Sequence, residues 1–469
     1  MISLYNTLTE SKEFLEKSRG RKLKLFVCGP TVYDLPHLGH ARVEVVFDVI
    51  VKYLRSVGYK IFYLGNITDV DDKIIERGVD PKVMEREYLK DMRALGISAI
   101  DRRARASVHI KEIIRQIKGL LDKGFAYTTK NGIYFSVRKF PDYGRLSKQN
   151  LNELRPGWRI EPDPEKKDPL DFALWKFVNS DTKKSRIHAN DTNKYIWLSP
   201  WGAGRPGWHI EDTAITEKYF GPQYDLHGGG ADLKFPHHES EIAQQESLSG
   251  KKPFVKIWLH VGLVMINNEK MAKSLRNFME VRGFLKKYSA NVLRFMLISS
   301  HYRSPVDFTE GLAGQAEAAL GTVEGFVGKL DFIKNIKPKA ENLNKIKISK
   351  NQKIQNYEQQ FNEAMSDDFN TPEAMAVIFQ LINDYQNKIW RLAKKDAKEI
   401  KKFIEIKLKL LGIEFKKEAV PARIKALVDK REKLRGEKQF DKADELRDRI
   451  EAMGYQVEDT PLGSLIQRG

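Results

Sequence analysis

Two histidines three residues apart, His37 and His40, stand where a predicted strand-to-helix turn opens a helix, in the stretch CGPTVYDLPHLGHARVEVVFDVI. Residues three apart lie on the same face of a helix, so we expect both imidazoles on one side of the first turn. That turn also carries unpaired backbone N–H groups and the positive end of the helix dipole, which together bind anions. The spacing therefore predicts a phosphate site, and the alternative is a helix cap with two surface histidines.

A second cationic stretch, NNEKMAKSLRN at residues 267–277, follows a predicted strand and carries Lys270 and Lys273. Two ammonium groups on a polar loop could neutralise the charge that develops on a leaving pyrophosphate. Lysines in loops are usually only solvated, which is the alternative interpretation. A histidine turn after the first sheet strand and a lysine loop after the last one would meet at the switch point of a nucleotide-binding sheet, so the pair indicates a nucleotide site.

The stretch FPHHESEIA places His237 and Glu241 four residues apart on a helix predicted to begin near Pro236. Residues at this spacing are neighbours on one helix face, where an imidazole nitrogen and a carboxylate oxygen could hold a divalent metal. Cys28, the one cysteine of the chain, could add a thiolate from the first loop. An ordinary helix-surface pair is the alternative for the two helical residues, and an inert buried thiol is the alternative for the cysteine.

The elements that would position these groups alternate between strand and helix. Residues 23–27 predict a short strand, the apolar spacing from Leu38 onward predicts a helix, and residues 60–64 predict a second strand. This pattern favours an α/β fold with a doubly wound parallel sheet and its ligand at the carboxyl ends of the strands. A predicted insertion at about 105–205 interrupts the pattern, and strand-like residues return at 256–266.

From residue 309 onward the spacing is helical almost to the end of the chain. A lysine-rich segment at 334–350 is the best linker candidate. Helical patterns follow it at 352–365, 372–394, 397–411, 421–435 and 439–453.

The composition narrows the class of protein. A single cysteine excludes an intrachain disulfide framework, and no apolar run is long enough for a signal peptide or a membrane span, so we expect a cytoplasmic protein. The net charge of +18 favours a polyanionic partner such as nucleic acid, because clustered lysines and arginines release counterions from a phosphate backbone. A solvated, lysine-rich surface is the alternative source of that charge.

Over essentially its full length the chain resembles the cysteinyl-tRNA synthetase family of class I aminoacyl-tRNA synthetases. The matching stretches are CGPTVYDLPHLGHAR, NITDVDDKII, SPWGAGRPGWHIE, HGGGADLKFPHHESEIAQ, KMAKS, HYRSPVDFTE and DDFNTPEA. The resemblance implies a Rossmann catalytic domain at 1–115 and 205–265, a connective insertion at 116–204, a KMSKS-type loop and stem-contact region at 266–333, an α-helical bundle at 334–415 and a small C-terminal anticodon-binding module at 416–469.

The resemblance also implies a zinc ion that selects the thiolate of the substrate cysteine. In the family the ion is held by two cysteines, a histidine and a glutamate, and the matching positions here are Cys28, Asp212, His237 and Glu241. Asp212 stands where the family has its second cysteine. A carboxylate is a competent zinc ligand, so we expect a harder site with weaker zinc retention, and the alternative is that the metal has been lost.

By resemblance, the amino-acid pocket includes Gly29, Thr68, Trp208 and Asp232. Asp232 would pair with the α-ammonium group of the substrate. An ordinary position in the hydrophobic core is the alternative for Trp208. The nucleotide, ATP with Mg²⁺, would lie against the turn glycine, the histidine and triple glycine of HGGG, and the lysine loop. Those residues are Gly39, His227, Gly228, Gly229, Gly230 and Lys273. A flexible turn is the alternative for the glycines.

Anticodon bases would be met, by resemblance, by Arg435, Asp444 and Asp459, and a surface helix hairpin is the alternative. The tail GSLIQRG lacks the tryptophan that usually follows this glycine, and Arg276 replaces the usual glycine after the lysine loop. The first departure puts anticodon stacking in question, and the second puts the flexibility of the lysine loop in question.

The predicted function is ATP-dependent ligation of L-cysteine to tRNA(Cys) through a cysteinyl-adenylate, by a monomer with tRNA(Cys), L-cysteine and ATP as partners and no membrane. A cysteine ligase acting on an amino sugar would lack the tRNA-binding third, and a small-molecule adenylyltransferase would lack the Trp208 and His237 segments. A non-catalytic tRNA-binding paralogue is the alternative from another class, and the intact histidine and lysine motifs oppose it.

Overall fold

The computed structural model describes residues 1–17, 20–150, 163–178, 195–271, 278–335, 353–415 and 419–468. The chain divides into two compact units. The first consists of Met1–Glu310 and Ser366–Thr371, and the second of Gly311–Met365 and Pro372–Gly469. The finer segments expected from the sequence stay predictions.

The first unit combines strands and helices along its whole length. Its described strands are β1 (Ile2–Asn6), β2 (Ser11–Leu15), β3 (Leu23–Val27), β4 (Ile61–Ile67), β5 (Arg102–Arg105), β6 (Ala126–Thr128), β7 (Gly132–Phe135), β8 (Phe172–Phe177), β9 (Trp197–Ser199), β10 (Gly202–Pro206), β11 (Tyr224–Gly230), β12 (Val255–Val261), β13 (Val264–Ile266), β14 (Glu269–Lys270) and β15 (Val306–Phe308). Its described α-helices are α1 (Leu38–Ser56), α2 (Asp72–Arg77), α3 (Pro81–Ala94), α4 (Ile110–Asp122), α5 (Ile210–Phe220), α6 (Glu239–Ser249), α7 (Val281–Leu285) and α8 (Ala290–Ile298).

The centre of the first unit is a parallel sheet with the strand order β12-β11-β3-β4-β5. From β3 the chain proceeds to β4 on one side, and from β11 it proceeds to β12 on the other. The boundary between β3 and β11 is therefore the topological switch point, where α/β sheets bind their ligands. The backbone N–H of Cys28, just past β3, donates to the carbonyl of Gly228 at 3.0 Å across this boundary. The predicted fold class is confirmed.

Helix α1 is anchored through buried charges. The carboxylate of Asp48 accepts a hydrogen bond from Arg294 on α8 at 2.6 Å, and both side chains are almost fully buried. It also accepts the backbone N–H groups of Ser98 and Ala99 at 2.9 Å each. A buried carboxylate with this many donors is well satisfied, so α1 is held in one position against its neighbours. The histidine turn at its amino end is held with it.

The predicted insertion forms an antiparallel sheet with the order β6-β7-β8-β10-β9, in which β6 and β7 form a hairpin. The strand expected at 256–266 is two strands. β12 belongs to the parallel sheet, whereas β13 pairs with β14 and β15. The break falls at Gly262, where a Cβ atom would lie 2.3 Å from the carbonyl oxygen of Ser304, so only glycine lets the backbones approach this closely.

The second unit is helical, as the sequence predicts, and ends in a β-hairpin. Its elements are α9 (Glu310–Asn335), α10 (Ile354–Ser366), α11 (Thr371–Gln386), α12 (Lys394–Leu410), α13 (Ala422–Gly436), α14 (Phe440–Ala452), β16 (Tyr455–Thr460) and β17 (Gly463–Arg468). Ile424, Val428, Ile450 and Val457 form a small core between α13, α14 and the hairpin. Most of the predicted linker at 334–350 lies outside the described residues. None of the helices in the described ranges combines the length and apolarity needed to cross a bilayer.

Candidate active site

The histidine turn is a capping box made of two imidazoles. His37 is the N-cap of α1, and its Nδ1 accepts the backbone N–H groups of Gly39 at 3.0 Å and His40 at 3.4 Å. In return, the backbone N–H of His37 donates to Nδ1 of His40 at 3.3 Å. The two rings stack with their centroids 3.9 Å apart. As expected, both histidines lie together at the start of the helix.

The N–H groups predicted to be unpaired are already paired, which corrects the sequence-based interpretation. The ring of His37 takes two of them, and the N–H of Leu38 donates to the carbonyl of Met279 at 3.1 Å. Gly39 is required by the same cap, because a Cβ atom there would lie 2.8 Å from Cε1 of His37. The glycine between the histidines therefore makes room for an imidazole.

The capping box fixes the tautomers of both histidines. Each Nδ1 accepts a hydrogen bond, so the ring proton of a neutral imidazole must be on Nε2. Burial lowers the pKa of His37 to about 2 and that of His40 to about 4, so both rings are neutral near pH 7. The turn thus offers two neutral Nε2–H donors at the positive end of the helix dipole, and these can hydrogen-bond a phosphate.

The lysine loop begins and ends beside this turn. The N–H of Val281 donates to the carbonyl of Pro36 at 3.0 Å, and the methyl group of Met271 lies 3.5 Å from a Cβ atom built at Gly39. Lys270 is the last residue of β14. Lys273 lies outside the described residues, as does Arg276. The described residues at both ends of the lysine loop thus lie beside the histidine turn, and the meeting of Lys273 with this turn stays a prediction.

The four expected metal-binding residues converge on one ring nitrogen. Nε2 of His237 lies 3.4 Å from Sγ of Cys28, 3.0 Å from Oδ2 of Asp212 and 3.3 Å from Oε1 of Glu241. Cys28 follows β3, Asp212 lies in the first turn of α5, and Glu241 lies in the first turn of α6. All four side chains are buried. Three elements far apart in the chain thus supply one sulfur, one nitrogen and two carboxylates.

This cluster has the electrostatics of a cation site. Among the described residues, no hydrogen bond reaches either carboxylate oxygen of Glu241. Burial, followed by the charges of Asp212 and Glu211, raises the pKa of Glu241 well above its ordinary value. Burial, followed by the charges of Asp212 and Glu241, does the same to the pKa of the Cys28 thiol. Buried anions without donors are unfavourable by several kcal/mol each, and a divalent cation would offset that cost. The residues therefore fit a metal ion.

The local structure before Glu241 differs from the sequence-based expectation. Helix α6 begins at Glu239, and a single π-helical turn, Lys234–His238, precedes it. Phe235 within this turn has extended backbone angles, φ −132° and ψ 134°. The predicted neighbourhood of His237 and Glu241 is present nevertheless, because residues 237 to 241 continue one helical path into α6.

Two more histidines surround the cluster, and sequence reasoning missed both. Nδ1 of His209 lies 2.8 Å from Nδ1 of His237, so if Nε2 of His237 ligates a metal, its Nδ1–H donates to His209. His238 hydrogen-bonds through Nδ1 to Nε2 of His260 at 2.9 Å, and its own Nε2 lies 4.0 Å from Glu241. Their positions in the sequence could have revealed both, because His209 directly precedes the helix that carries Asp212 and His238 directly follows His237.

The residues expected around the amino acid lie near the cluster and the histidine turn. Trp208 stacks on His237 with ring centroids 4.2 Å apart and keeps 37% of its surface exposed, as a pocket wall would. Asp232 is exposed, and its charge partly opposes the lowering of the pKa of His40, which burial dominates. Thr68 is buried and donates its hydroxyl to Glu211.

The first glycine of HGGG and the histidine before it are closely packed by neighbouring side chains. A Cβ atom at Gly228 would lie 2.0 Å from Cζ of the buried Phe47. His227 is fully buried, with Nδ1 2.7 Å from the hydroxyl of Tyr224 and its ring stacked on Trp258 at 4.2 Å. Protein side chains thus cover both residues, and their expected contact with the nucleotide stays a prediction.

The last two glycines of HGGG differ in exposure. Gly229 is buried, and a Cβ atom there would lie 2.7 Å from Cε1 of His238. Gly230 is partly exposed, and a Cβ atom there would lie 2.6 Å from Oδ1 of Asp232. The nucleotide contact of Gly230 stays a prediction.

In the second unit, the expected anticodon residues lie on α13, α14 and β16. Both carboxylate oxygens of Asp459 accept hydrogen bonds from Arg431, at 2.7 and 2.8 Å, and Arg435 lies 3.4 Å away. The hydrogen bonds from Arg431 lower the pKa of Asp459 to about 2. Asp444 is exposed on α14. The three positions remain a prediction, with Arg431 as a fourth charged residue that the sequence did not single out.

Known families match the chain in three consecutive parts. Residues 14–318 match the tRNA synthetases class I (C) catalytic domain, residues 360–416 match the DALR domain, and residues 417–463 match the cysteinyl-tRNA ligase anticodon binding domain. The last match argues against an amino-sugar ligase, which was expected to lack a tRNA-binding third.

Curated relatives and solved structures agree with these matches. The chain is 42% identical to a cysteine–tRNA ligase of Carboxydothermus hydrogenoformans, covering 98% of this chain and 99% of the relative. It is also 42% identical to that of Caldicellulosiruptor saccharolyticus over the full length of both. The fold is similar to that of Mycobacterium tuberculosis methionyl-tRNA synthetase, with a TM-score of 0.57 and 12% identity over 83% of this chain and 89% of that one. The chain belongs to the cysteine–tRNA ligase family of class I aminoacyl-tRNA synthetases.

Proposed function

We propose that this enzyme joins L-cysteine to tRNA(Cys) in two steps at the switch point of its parallel sheet. In the first, a carboxylate oxygen of cysteine attacks the α-phosphorus of ATP, and the bond to the β-phosphate oxygen breaks to release pyrophosphate. In the second, a hydroxyl of the terminal adenosine of the tRNA attacks the activated carbonyl, and AMP leaves.

One observation carries the proposal. The loop and turn between β3 and α1 hold both Cys28 of the metal cluster and the paired histidines His37 and His40. A cluster suited to a substrate thiol and a turn suited to ATP phosphates are thus built on one short segment. An enzyme that activates cysteine with ATP needs these two sites next to each other.

Cys28, Asp212, His237 and Glu241 would hold a zinc ion. When bound, zinc supplies a Lewis acid that prefers a thiolate to a neutral hydroxyl and so distinguishes cysteine from serine. An apolar pocket alone discriminates between substrates this similar by only about 1–3 kcal/mol. The indole of Trp208 forms one wall beside His237, and Asp232 is proposed to pair the α-ammonium group.

The histidine turn acts by hydrogen bonding. His37 and His40 present Nε2–H donors and do not take up a proton near neutral pH, so their contribution is positioning and stabilisation of phosphate charge. Lys270 and Lys273 are proposed to neutralise the charge on the leaving pyrophosphate, which Mg²⁺ accompanies. No side chain is required as a general base, because phosphoryl transfer depends chiefly on position and charge.

The second unit is proposed to recognise the tRNA, with Arg435, Asp444 and Asp459 at the anticodon. The match of residues 417–463 to an anticodon-binding domain supports this assignment, and the net charge of +18 agrees with a polyanionic partner. A cytoplasmic location and a monomeric state stay predictions that accompany this function.

The proposal is tested by exchange of labelled pyrophosphate into ATP with cysteine or serine as the amino acid. We expect exchange with cysteine and at least 1,000-fold lower kcat/KM with serine. Sites whose polar groups are matched to one group of the substrate reject an analogue that lacks this group by about 10⁴–10⁵ in kcat/KM. Charging of a tRNA(Cys) transcript tests the second step. If neither cysteine nor serine supports exchange while tRNA binding is retained, the protein is a non-catalytic tRNA-binding paralogue.

A further inference from the structure

We infer that Asn66 is a positioning residue that orients Asp212 in the metal cluster and thereby sets its metal affinity. This inference rests on the proposed function. Asn66 lies near the carboxyl end of β4 and is completely buried. Its Nδ2 lies 2.5 Å from Oδ1 of Asp212, which is also completely buried. A buried amide in an otherwise apolar strand, IFYLGNI, needs partners, and its partners are the residues around the metal cluster.

The orientation of the Asn66 amide is determined by chemistry. The backbone N–H of Gly29 donates to Oδ1 of Asn66, and because an N–H can only donate, this end of the amide must be the oxygen. The NH₂ end therefore faces the carboxylates. Besides Asp212, it approaches Oγ1 of Thr68 at 3.3 Å and Oε1 of Glu211 at 3.5 Å.

The hydrogen bond from Asn66 gives the two carboxylate oxygens of Asp212 different roles. Oδ1 is held by Asn66, whereas Oδ2 lies 3.0 Å from Nε2 of His237, on the side of the cluster. A carboxylate oxygen that already accepts a hydrogen bond is the weaker metal donor of the two, so Asp212 offers mainly Oδ2 to a cation. Asn66 therefore favours ligation of the metal by a single oxygen, in the manner of the hydrogen-bonding partners that commonly orient metal ligands.

The same amide also reaches the segment that carries the cysteine ligand. Gly29 follows Cys28, and a Cβ atom at Gly29 would lie 1.9 Å from the carbonyl oxygen of Asn66, so the two backbones are in direct contact. One side chain on β4 thus holds ligands from the loop after β3 and from α5. The dependence on Asp212 is specific to this sequence, because a cysteine at position 212 has one donor atom and no second atom for an amide to hold.

A double-mutant cycle tests the inference. Zinc dissociation constants are measured by competition with a chromophoric chelator for the metal-stripped full chain and for Asn66→Ala, Asp212→Cys and the double variant. We expect Asn66→Ala to weaken zinc binding about 10- to 100-fold in the parent and by a clearly smaller factor in the Asp212→Cys background, where only its contact with Gly29 is lost. An equal loss in both backgrounds, or no loss in the parent, would overturn the inference.

Two further measurements distinguish a loss of folding, and a failure of the metal site itself, from the loss of the positioning contact. Thermal unfolding of each stripped variant shows whether it folds, and if Asn66→Ala does not, Asn66→Ser is measured in the same cycle, since a short hydroxyl cannot bridge Gly29 and Asp212. Asp212→Ala separates this inference from the proposed function. If Asp212→Ala binds zinc as tightly as the parent, Asp212 is not a ligand and the proposed metal site fails. If Asp212→Ala loses zinc but Asn66→Ala does not, only the positioning role is refuted.

Discussion

Replacing His37 by asparagine separates two roles of its imidazole. Nδ1 caps helix α1 by accepting the N–H groups of Gly39 and His40, and Nε2–H is the group proposed to donate to phosphate. The side-chain oxygen of asparagine is among the best N-caps, so His37→Asn retains the first role and loses the second. His37→Ala loses both.

The size of each effect follows from the contacts. Loss of an N-cap destabilises by about 0.5–2 kcal/mol, so we expect His37→Ala to lower the free energy of unfolding by about 1 kcal/mol and His37→Asn to leave it within about 0.3 kcal/mol. Loss of a donor to developing charge lowers kcat by about 10²- to 10³-fold, or roughly 3–4 kcal/mol, and we expect this from both variants.

Urea unfolding and cysteine-dependent pyrophosphate exchange measure the two quantities. Asp80→Ala is the matched control, because Asp80 caps α3 by accepting the N–H of Lys82 at 2.8 Å and is exposed. It should lose stability as His37→Ala does and keep its exchange rate. The reasoning is refuted if His37→Asn is as unstable as His37→Ala, or if His37→Asn keeps its exchange activity.

Three other predictions concern pH, metal and packing. Burial lowers the pKa of His40 from an ordinary value of 6.5 to about 4, so the neutral ring stabilises the fold above pH 6.5 and this stability is lost as pH falls towards 4. Between pH 7 and pH 5, the free energy of unfolding measured in urea should fall by about 2 kcal/mol more in the parent than in His40→Asn. Equal falls in the two proteins would contradict the assignment. Asp212→Cys should bind zinc at least about tenfold more tightly in a chelator competition, because thiolate is the softer donor, and unchanged affinity would mean that Asp212 is not a ligand. Gly228→Ala should destabilise by about 1–3 kcal/mol in thermal unfolding because its methyl group meets Phe47, whereas Gly325→Ala, which meets no atom of the described residues within 4 Å, should be neutral or slightly stabilising; equal stabilities would show that Phe47 moves freely.

Much of the local structure could be predicted from sequence because its causes lie within a few residues. The strand at 23–27, the helix that opens after His37 and the helical C-terminal third all follow from apolar spacing. The neighbourhood of His237 and Glu241 follows from helical geometry. The cap formed by His37 is equally local, but imidazole is an unusual N-cap, so the pattern of serine, threonine and aspartate caps did not reveal it.

The atoms of the cluster could not be assigned in this way. Cys28 and His237 are 209 residues apart, and Asn66 and Asp212 are 146 residues apart. Their contacts depend on β11 and β4 lying on either side of β3, and hydrophobic periodicity specifies that a segment is a strand without specifying its neighbours. The packing of Gly228 illustrates the same limit, because the ring that lies beside it, that of Phe47, comes from α1.

The sequence by itself thus determined the residue types available for chemistry and the elements that carry them. The tertiary structure decided which of their atoms meet and which oxygen of Asp212 faces the metal cluster. The physical reason is that propensity and capping act over a few residues, whereas hydrogen bonding and charge within a buried cluster depend on how distant strands are ordered in the sheet.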